Sequence, residues 1–132
     1  MGDQVVSAVA PVLKDESSQC SVPTAWRKSI FDIVEQFVHG DFTLSGNIDG
    51  VRAISTDRAE RIAKNVASYG GRLTNLPEDA WVTSVCQWMR DYWDVLVDLY
   101  VLEEGESDLV MSIRVYEERG YYVFEVISVH VP

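Results

Sequence analysis

Apolar positions in the first half of the chain follow a helical spacing. From Thr24 onward, large apolar residues recur every three or four positions, at Trp26, Ile30, Ile33, Val34, Phe37 and Val38. This spacing places their side chains on one face of an amphipathic helix. Pro23 and Thr24 suit the start of that helix, and His39-Gly40 suits its end. The pattern therefore predicts a helix between these two signals.

A second helix is predicted after residue 56. Asp57 is followed three residues later by Glu60, the arrangement of a capping box at a helix start. The apolar positions behind it again follow a helical spacing, at Ala59, Ile62, Ala63 and Val66. Gly70-Gly71 predicts the end of this helix, and the segment from Asp41 to Ser55 is predicted to be a loop.

The period changes to strict alternation after Leu76-Pro77. Trp93 to Val101 has apolar residues at every odd position, as expected for a half-buried strand. Two more strands are predicted, from Leu109 to Glu117 and from Tyr121 to Val131, joined by a two-residue hairpin at Arg119-Gly120. Trp81 to Met89 fits a helix or a strand. We favour a strand there, because it leads through the short Arg90-Asp91 link into the strand that begins at Trp93.

These elements predict one α+β domain. Two to three helices precede a curled antiparallel sheet of three to four carboxy-terminal strands, and the helices are expected to pack on one sheet face. Cone-shaped folds of the nuclear-transport-factor-like and cystatin-like types share this order of elements. Residues 1–22 are predicted to form an amino-terminal segment, with a marginal helix from Gln4 to Leu13. Residues 23–132 are predicted to form the domain.

The carboxy-terminal third resembles a family of small uncharacterised bacterial proteins. The resemblance is carried by three runs of residues: Trp93 to Leu99, Glu103-Glu104-Gly105 with Ser107 to Val110, and Val126 to Pro132. These motifs are structural in type, and the family has no assigned activity. The resemblance therefore implies a bacterial origin and supports the fold, but it assigns no site residue.

Negative charge is concentrated in the same part of the chain. The net charge is −10, with 21 acidic and 11 basic residues. Residues 77–132 hold 12 of the acids and only three bases, Arg90, Arg114 and Arg119, a local net charge of −9. Such a field repels nucleic acid and anionic membranes and accelerates encounter with basic partners. We therefore expect a basic protein partner and no binding to nucleic acid or membrane.

Targeting and cofactor signals give little further direction. The amino terminus lacks the basic start of a secretory signal, so we expect a cytoplasmic protein. Cys20 and Cys86 are far apart in sequence and are expected to be reduced thiols. With two histidines, His39 and His130, no metal site or other cofactor is expected. Known catalytic motifs are absent, which argues against an enzyme.

Polar residues on the predicted strands allow one catalytic alternative. Asp98 and His130 are candidate base and acid, and Arg114 is a candidate for orienting an anionic substrate in a pocket on the concave sheet face. The more common explanation is a solvated face of a half-buried sheet. Glu125 lies between Val123 and Ile127 on a predicted apolar face. It is either a buried carboxyl with a shifted pKa or, more commonly, the partner of an arginine.

The leading hypothesis is an acidic protein-binding module. In this hypothesis the chain is an immunity-type or inhibitor protein that neutralises a basic partner such as a bacterial nuclease toxin. Aromatic residues beside carboxylates are typical of protein-binding surfaces. The candidate partner-binding residues are therefore the acids and tyrosines of the predicted sheet: Glu103, Glu104, Glu106, Asp108, Asp94, Asp98, Tyr92 and Tyr100. The alternatives are a small-molecule pocket protein and a sheet-to-sheet homodimer, and the chain itself is expected to be a monomer or homodimer.

Overall fold

A computed structural model describes residues 12–132, which contain three helices and a five-stranded antiparallel sheet. The helices are α1 (Thr24–Val38), α2 (Thr56–Tyr69) and α3 (Ala80–Thr83). The strands are β1 (Cys20–Ser21), β2 (Val85–Trp88), β3 (Trp93–Val101), β4 (Gly105–Glu118) and β5 (Tyr121–His130). The predicted α+β class is therefore confirmed. Most of the predicted helix from Gln4 to Leu13 lies outside the described residues.

The two long helices occupy the predicted places, but the start of α2 differs in detail. The predicted start and end of α1 are confirmed. At α2 the N-cap is Ser55, whose hydroxyl accepts a hydrogen bond from the backbone N–H of Arg58. The predicted cap at Asp57 is wrong, because Asp57 already lies in the first turn. Ser55 is an equally good cap residue, and the pairing of Asp57 with Glu60 obscured it.

The ambiguous segment from Trp81 to Met89 divides into two elements. Its first part belongs to the short helix α3, so the favoured strand is wrong there. Its second part is strand β2, as favoured. Ser84 separates the two, and its buried hydroxyl donates to the carbonyl of Ala80. This bond closes the last turn of α3 and lets the chain turn into the sheet.

The sheet has more strands than the three to four predicted at the carboxy-terminal end. Its order is β1-β2-β3-β4-β5, and every neighbouring pair is antiparallel. The additional strand β1 comes from the amino-terminal segment, where Cys20 and Ser21 pair with β2. Two residues with no alternation give no strand signal of their own, so only the pairing with β2 defines β1. The proposed boundary between residues 22 and 23 stays a prediction.

The turn between β4 and β5 has the predicted length of two residues. Arg119 and Gly120 both adopt positive φ, 51° and 85°, as a type I′ hairpin turn requires. Farther along β5, Ser112 pairs with Ser128 while Ile113 pairs with Val126, which leaves Ile127 as the extra residue of a β-bulge.

The bulge shifts the alternation by one residue, so parity changes along β5. Before it, Phe124 and Val126 face the helices, and after it Val129 does. As a result Glu125, Ser128 and His130 share the outer face. Strict alternation along β5, without a bulge, would place Glu125 on the opposite face from Ser128 and His130.

The core lies between the helices and the inner face of the sheet. Trp26 of α1 is fully buried and meets Trp93, Tyr122 and Phe124 edge to face. Such aromatic packing fills the space that a pocket between the helices and the sheet would need. Within residues 12–132, no helix combines the length and apolar character needed to cross a bilayer.

Candidate functional site

The outer face of the sheet, opposite the helices, carries the polar side chains of β3, β4 and β5. Strand register sets them in rows. One row contains Asp94, Arg114 and Glu125. Another contains Asp98, Val110 and His130. All of these side chains are partly exposed.

The three catalytic candidates share this face but do not converge. Asp98 and His130 flank Val110, and two strand spacings separate their Cα atoms by about 10 Å. Arg114 is four residues from Val110 along β4, a distance of about 13 Å. A base, an acid and an anion-binding group acting on one small substrate need much closer spacing.

Each of the three also has a local partner. Thr83 donates its hydroxyl to Asp98 Oδ2 at 2.5 Å. The Nδ1 atom of His130 lies 3.0 Å from the hydroxyl of Ser128. The guanidinium of Arg114 stacks over the ring of Tyr92, 4.5 Å from its centroid. These contacts are typical of an ordinary polar sheet face.

Carboxylates gather around Tyr100 at one end of the outer face. Tyr100 pairs in register with Glu106, and Asp79 immediately precedes α3 on the same side. Burial raises the pKa of Tyr100, and the charges of Glu106, Asp79 and Asp98 raise it further. The Tyr100 hydroxyl therefore keeps its proton at neutral pH and is available as a hydrogen-bond donor.

We call this region the acidic end and define it by Asp79, Asp98, Tyr100, Glu106 and Asp108. Among residues 12–132, none of the salt bridges involves its four carboxylates. Three of them are exposed to solvent: Asp79, Glu106 and Asp108. The acidic end is thus a concentration of negative charge that neighbouring bases do not neutralise.

An apolar side chain stands beside these acids. Val82 of α3 is 81% exposed, the largest exposure among the large hydrophobic residues described. It precedes Thr83, whose hydroxyl holds Asp98. An exposed apolar side chain and a tyrosine surrounded by carboxylates combine the two components of a protein-binding surface, an anchor and a steering field.

The acidic side chains of the turn that precedes β4 bind other residues of the same chain. Glu103 accepts hydrogen bonds from the backbone N–H of Arg72 at 2.9 Å and from its Nε at 3.0 Å. The backbone bond, followed by the side-chain bond, lowers the pKa of Glu103. Glu104 accepts a hydrogen bond of 2.5 Å from the hydroxyl of Tyr69. Sequence reasoning missed Tyr69 and Arg72, because no local pattern links the end of α2 to this turn.

The opposite end of the outer face holds both signs of charge. The guanidinium of Arg52 lies 4.7 Å from the centroid of the Tyr116 ring, and Tyr116 and Tyr92 pack with their centroids 5.8 Å apart. Asp94 faces Arg114 in register. Of the predicted partner-binding residues, Tyr92 and Asp94 therefore lie away from the acidic end.

Glu125 is the centre of this mixed-charge end. Its carboxylate accepts a hydrogen bond of 2.9 Å from Tyr116 and lies 3.7 Å from Arg52 and 3.9 Å from Arg58. The side chain is 27% exposed. The structure thus places Glu125 beside arginines on the outer face.

Two cavities of the described residues were candidates for a pocket, and neither contains all three catalytic candidates. One of about 250 Å³ lies between residues 12–23 and β2, and both Cys20 and Cys86 line it. Another, of about 430 Å³, includes His130 but opens beside α2 and includes neither Asp98 nor Arg114. Within the described part of the chain, no three His, Cys, Asp or Glu side chains cluster as a metal site would require.

Comparison with known proteins gives one family match and no assigned activity. A family model described as a domain of unknown function (DUF7668) matches residues 34–132. That range includes only the last five residues of α1 but all of α2, α3 and β2 to β5, and so includes the acidic end. No curated protein and no solved structure matches the chain.

Proposed function

We propose that this chain, which belongs to the family described as a domain of unknown function (DUF7668), is an acidic protein-binding module. In this proposal it acts as an immunity-type or inhibitor protein that neutralises a basic partner, such as a bacterial nuclease toxin. The observation that carries the proposal is the acidic end, where the carboxylates of Glu106, Asp79 and Asp98 lie around Tyr100 without a salt bridge among the described residues.

Electrostatics supports a basic partner. Unneutralised carboxylates on one surface attract positive charge over about one Debye length, which is about 8 Å at physiological salt. Such steering raises the association rate more than it lowers the dissociation rate. Val82 and Tyr100 supply the short-range contacts that charge alone does not. A nuclease fits this surface because its substrate-binding cleft carries the positive charge that binds phosphates.

Two of the predicted contact residues have a different role in this arrangement. Glu103 and Glu104 bind Arg72 and Tyr69, so they hold the turn against the end of α2. We therefore assign the partner contact to Asp79, Glu106 and Asp108. Within the described residues, the side chains of these three acids form no hydrogen bond or salt bridge, and the one bond of Asp108, to Tyr69, is made by its backbone N–H. Their substitution therefore changes charge without removing a side-chain bond.

The test compares two triple variants that carry the same total charge. The first is Asp79→Lys with Glu106→Lys and Asp108→Lys. The matched control is Asp49→Lys with Glu60→Lys and Asp91→Lys, at three exposed acids away from the acidic end. Each protein is immobilised and exposed to lysate of its native cell at low salt, bound proteins are identified by mass spectrometry, and association rates are then measured with the captured protein.

We expect the wild type and the control to retain a basic protein that high salt releases. The acidic-end variant should lose it, with an association rate at low salt reduced at least about tenfold. Equal binding by both variants would show that total charge, not this surface, attracts the partner. Retention of no basic protein by the wild type would overturn the proposal.

The finer fold assignment and the location belong to the same proposal. The order of helices and strands and the packing of the long helices on one sheet face support a nuclear-transport-factor-like or cystatin-like cone. A bacterial, cytoplasmic protein is the context in which an immunity-type inhibitor meets its toxin.

The small-molecule alternative has less support. The helix-facing side of the sheet is packed with Trp26, Trp93 and Phe124, and the outer face does not bring Asp98, His130 and Arg114 together. A sheet-to-sheet homodimer would use the same outer face, but the arginines at its opposite end already lie beside carboxylates of this chain.

A further inference from the structure

The two cysteines meet across the edge of the sheet. Cys20 of β1 pairs in register with Cys86 of β2, although 65 residues separate them along the chain. Directly opposed residues of an antiparallel pair point to the same face. Cys86 is only 2% exposed and also pairs with the buried Val95, so both thiols lie on the inner side of the sheet.

This placement comes close to the geometry of a disulfide. Opposed residues in an antiparallel pair have Cα atoms about 4.5 to 5.5 Å apart, within the range that disulfides span. Their Cβ atoms are about 4.5 to 5.5 Å apart, and a disulfide draws them to about 3.5 to 4.5 Å. A movement of roughly 1 Å therefore closes the bond. Strand β1 has two residues and lies at the sheet edge, so this movement affects its own pairing with β2 and leaves the pairing of β2 with β3 in place.

The surroundings admit a small reagent to one thiol of the pair. The cavity of about 250 Å³ beside β2 is lined by both cysteines, with Ser18, Pro23 and Trp88 around them. Cys20 is partly exposed, whereas Cys86 is buried. A reagent entering this cavity therefore meets Cys20 first.

Noncovalent contacts already hold the amino-terminal segment near β2. The indole N–H of Trp93 donates to the carbonyl of Leu13 at 3.0 Å, and the side-chain amide of Gln87 donates to the carbonyl of Glu16 at 2.7 Å. A bond between Cys20 and Cys86 would make this attachment covalent.

We propose that Cys20 and Cys86 are a reversible disulfide site that fastens the amino-terminal segment to strand β2. The oxidant is a low-molecular-weight disulfide. Cys20 attacks it as the thiolate, forms a mixed disulfide and displaces one thiolate. Cys86 then loses its proton and attacks the Cys20 sulfur, which releases the second thiolate. Two protein thiols become one disulfide, and the reagent is reduced to two thiols.

The order of these steps follows from the burial of Cys86. Burial, together with the neighbouring Cys20, raises the pKa of Cys86 to about 11. Its thiolate is therefore scarce at neutral pH, and Cys86 acts as the second, resolving thiol. The mixed disulfide on Cys20 places the sulfur under attack directly across from it.

The first measurement uses the full chain and oxidised glutathione as the probe. Reduced protein is treated, quenched with acid and analysed by mass spectrometry and by thiol titration in denaturant. We expect a monomer that has lost both free thiols and two hydrogens of mass. A cross-link enclosing this many residues should raise the midpoint of thermal unfolding by about 10 °C, and reductant should reverse the rise.

Variants that lack one of the two cysteines test the order of the two steps. Cys86→Ser should stop at the mixed disulfide on Cys20, and Cys20→Ser should leave Cys86 unmodified. Neither should show the rise in the unfolding midpoint. The proposal is overturned if the wild type stops at the mixed disulfide, forms a disulfide-linked dimer or retains two free thiols. Because this site lies away from the acidic end, its result is independent of any partner.

Discussion

Glu125 lies on the outer face of β5, where its carboxylate accepts a hydrogen bond from Tyr116 and faces the guanidinium groups of Arg52 and Arg58. The two charge separations, 3.7 and 3.9 Å, are long, so the hydrogen bond is the stronger contact. Arg52 also approaches Glu118, at 3.4 Å, but both of those side chains are more exposed. Burial therefore distinguishes the two carboxylates that share Arg52.

This difference predicts unequal effects of truncation. Glu125→Ala should lower the free energy of unfolding by about 1 kcal/mol, since it removes a charged acceptor from a partly buried hydroxyl. Glu118→Ala should change it by less than about 0.5 kcal/mol, the range of exposed ion pairs. Urea unfolding of both variants measures the difference. Equal effects would show that Glu125 contributes no more than a surface charge.

At the scale of elements, the two long helices are stabilised by different contacts. Helix α1 follows Pro23, without a side-chain cap bond, and is stabilised by its buried apolar face. Helix α2 buries only Ala59 and Ile62, and its hydroxyl cap at Ser55 is correspondingly more important. It also ends at Gly70, whose φ of 94° closes the helix in the left-handed conformation. Local signals at both ends therefore define α2 more than its burial does.

The cap assignment can be checked by comparing two alanine variants. Ser55→Ala should destabilise the protein by about 1 kcal/mol, because it leaves the N–H of Arg58 without its acceptor. Asp57→Ala should cost less, about 0.5 kcal/mol, since it removes only a favourable charge near the helix start. Chemical denaturation followed by circular dichroism gives both values. A larger loss of stability for Asp57→Ala would show that Asp57, not Ser55, caps the helix.

At the scale of the whole molecule, a net charge of −10 on 132 residues opposes compaction. Part of this charge is neutralised locally, as where Lys14 pairs with Glu117 and Arg72 pairs with Glu103. The acidic end is not neutralised in this way. A partner that neutralised it would therefore also relieve repulsion within the chain.

Salt should relieve the same repulsion. Raising the salt concentration from 0.02 to 0.5 M should increase the midpoint of thermal unfolding by roughly 5 °C, because the Debye length falls to about 4 Å. The triple variant Asp79→Lys, Glu106→Lys and Asp108→Lys has a net charge of −4, since each substitution adds two charges. It should respond less than half as strongly in differential scanning calorimetry. An equal response would place the repulsion elsewhere in the molecule.

The sequence by itself determined the elements whose signals are local. The helical spacing from Trp26 to Val38 and the alternation from Trp93 to Val101 gave α1 and β3, since each repeats the period of the structure that it forms. The turn residues Arg119-Gly120 gave the hairpin. The concentration of acids after residue 77 likewise required no structure to recognise.

Tertiary structure alone decided which residues meet. Strand β1 exists because β2 supplies its hydrogen-bonding partner, and this pairing is also what brings Cys20 opposite Cys86. The bulge at Ile127 reassigns Glu125 to the outer face. The acidic end forms because α3 brings Asp79 to β3 and β4, while Arg72 and Tyr69 bind the neighbouring acids. Such contacts join residues distant in sequence, and a local pattern contains no information about them.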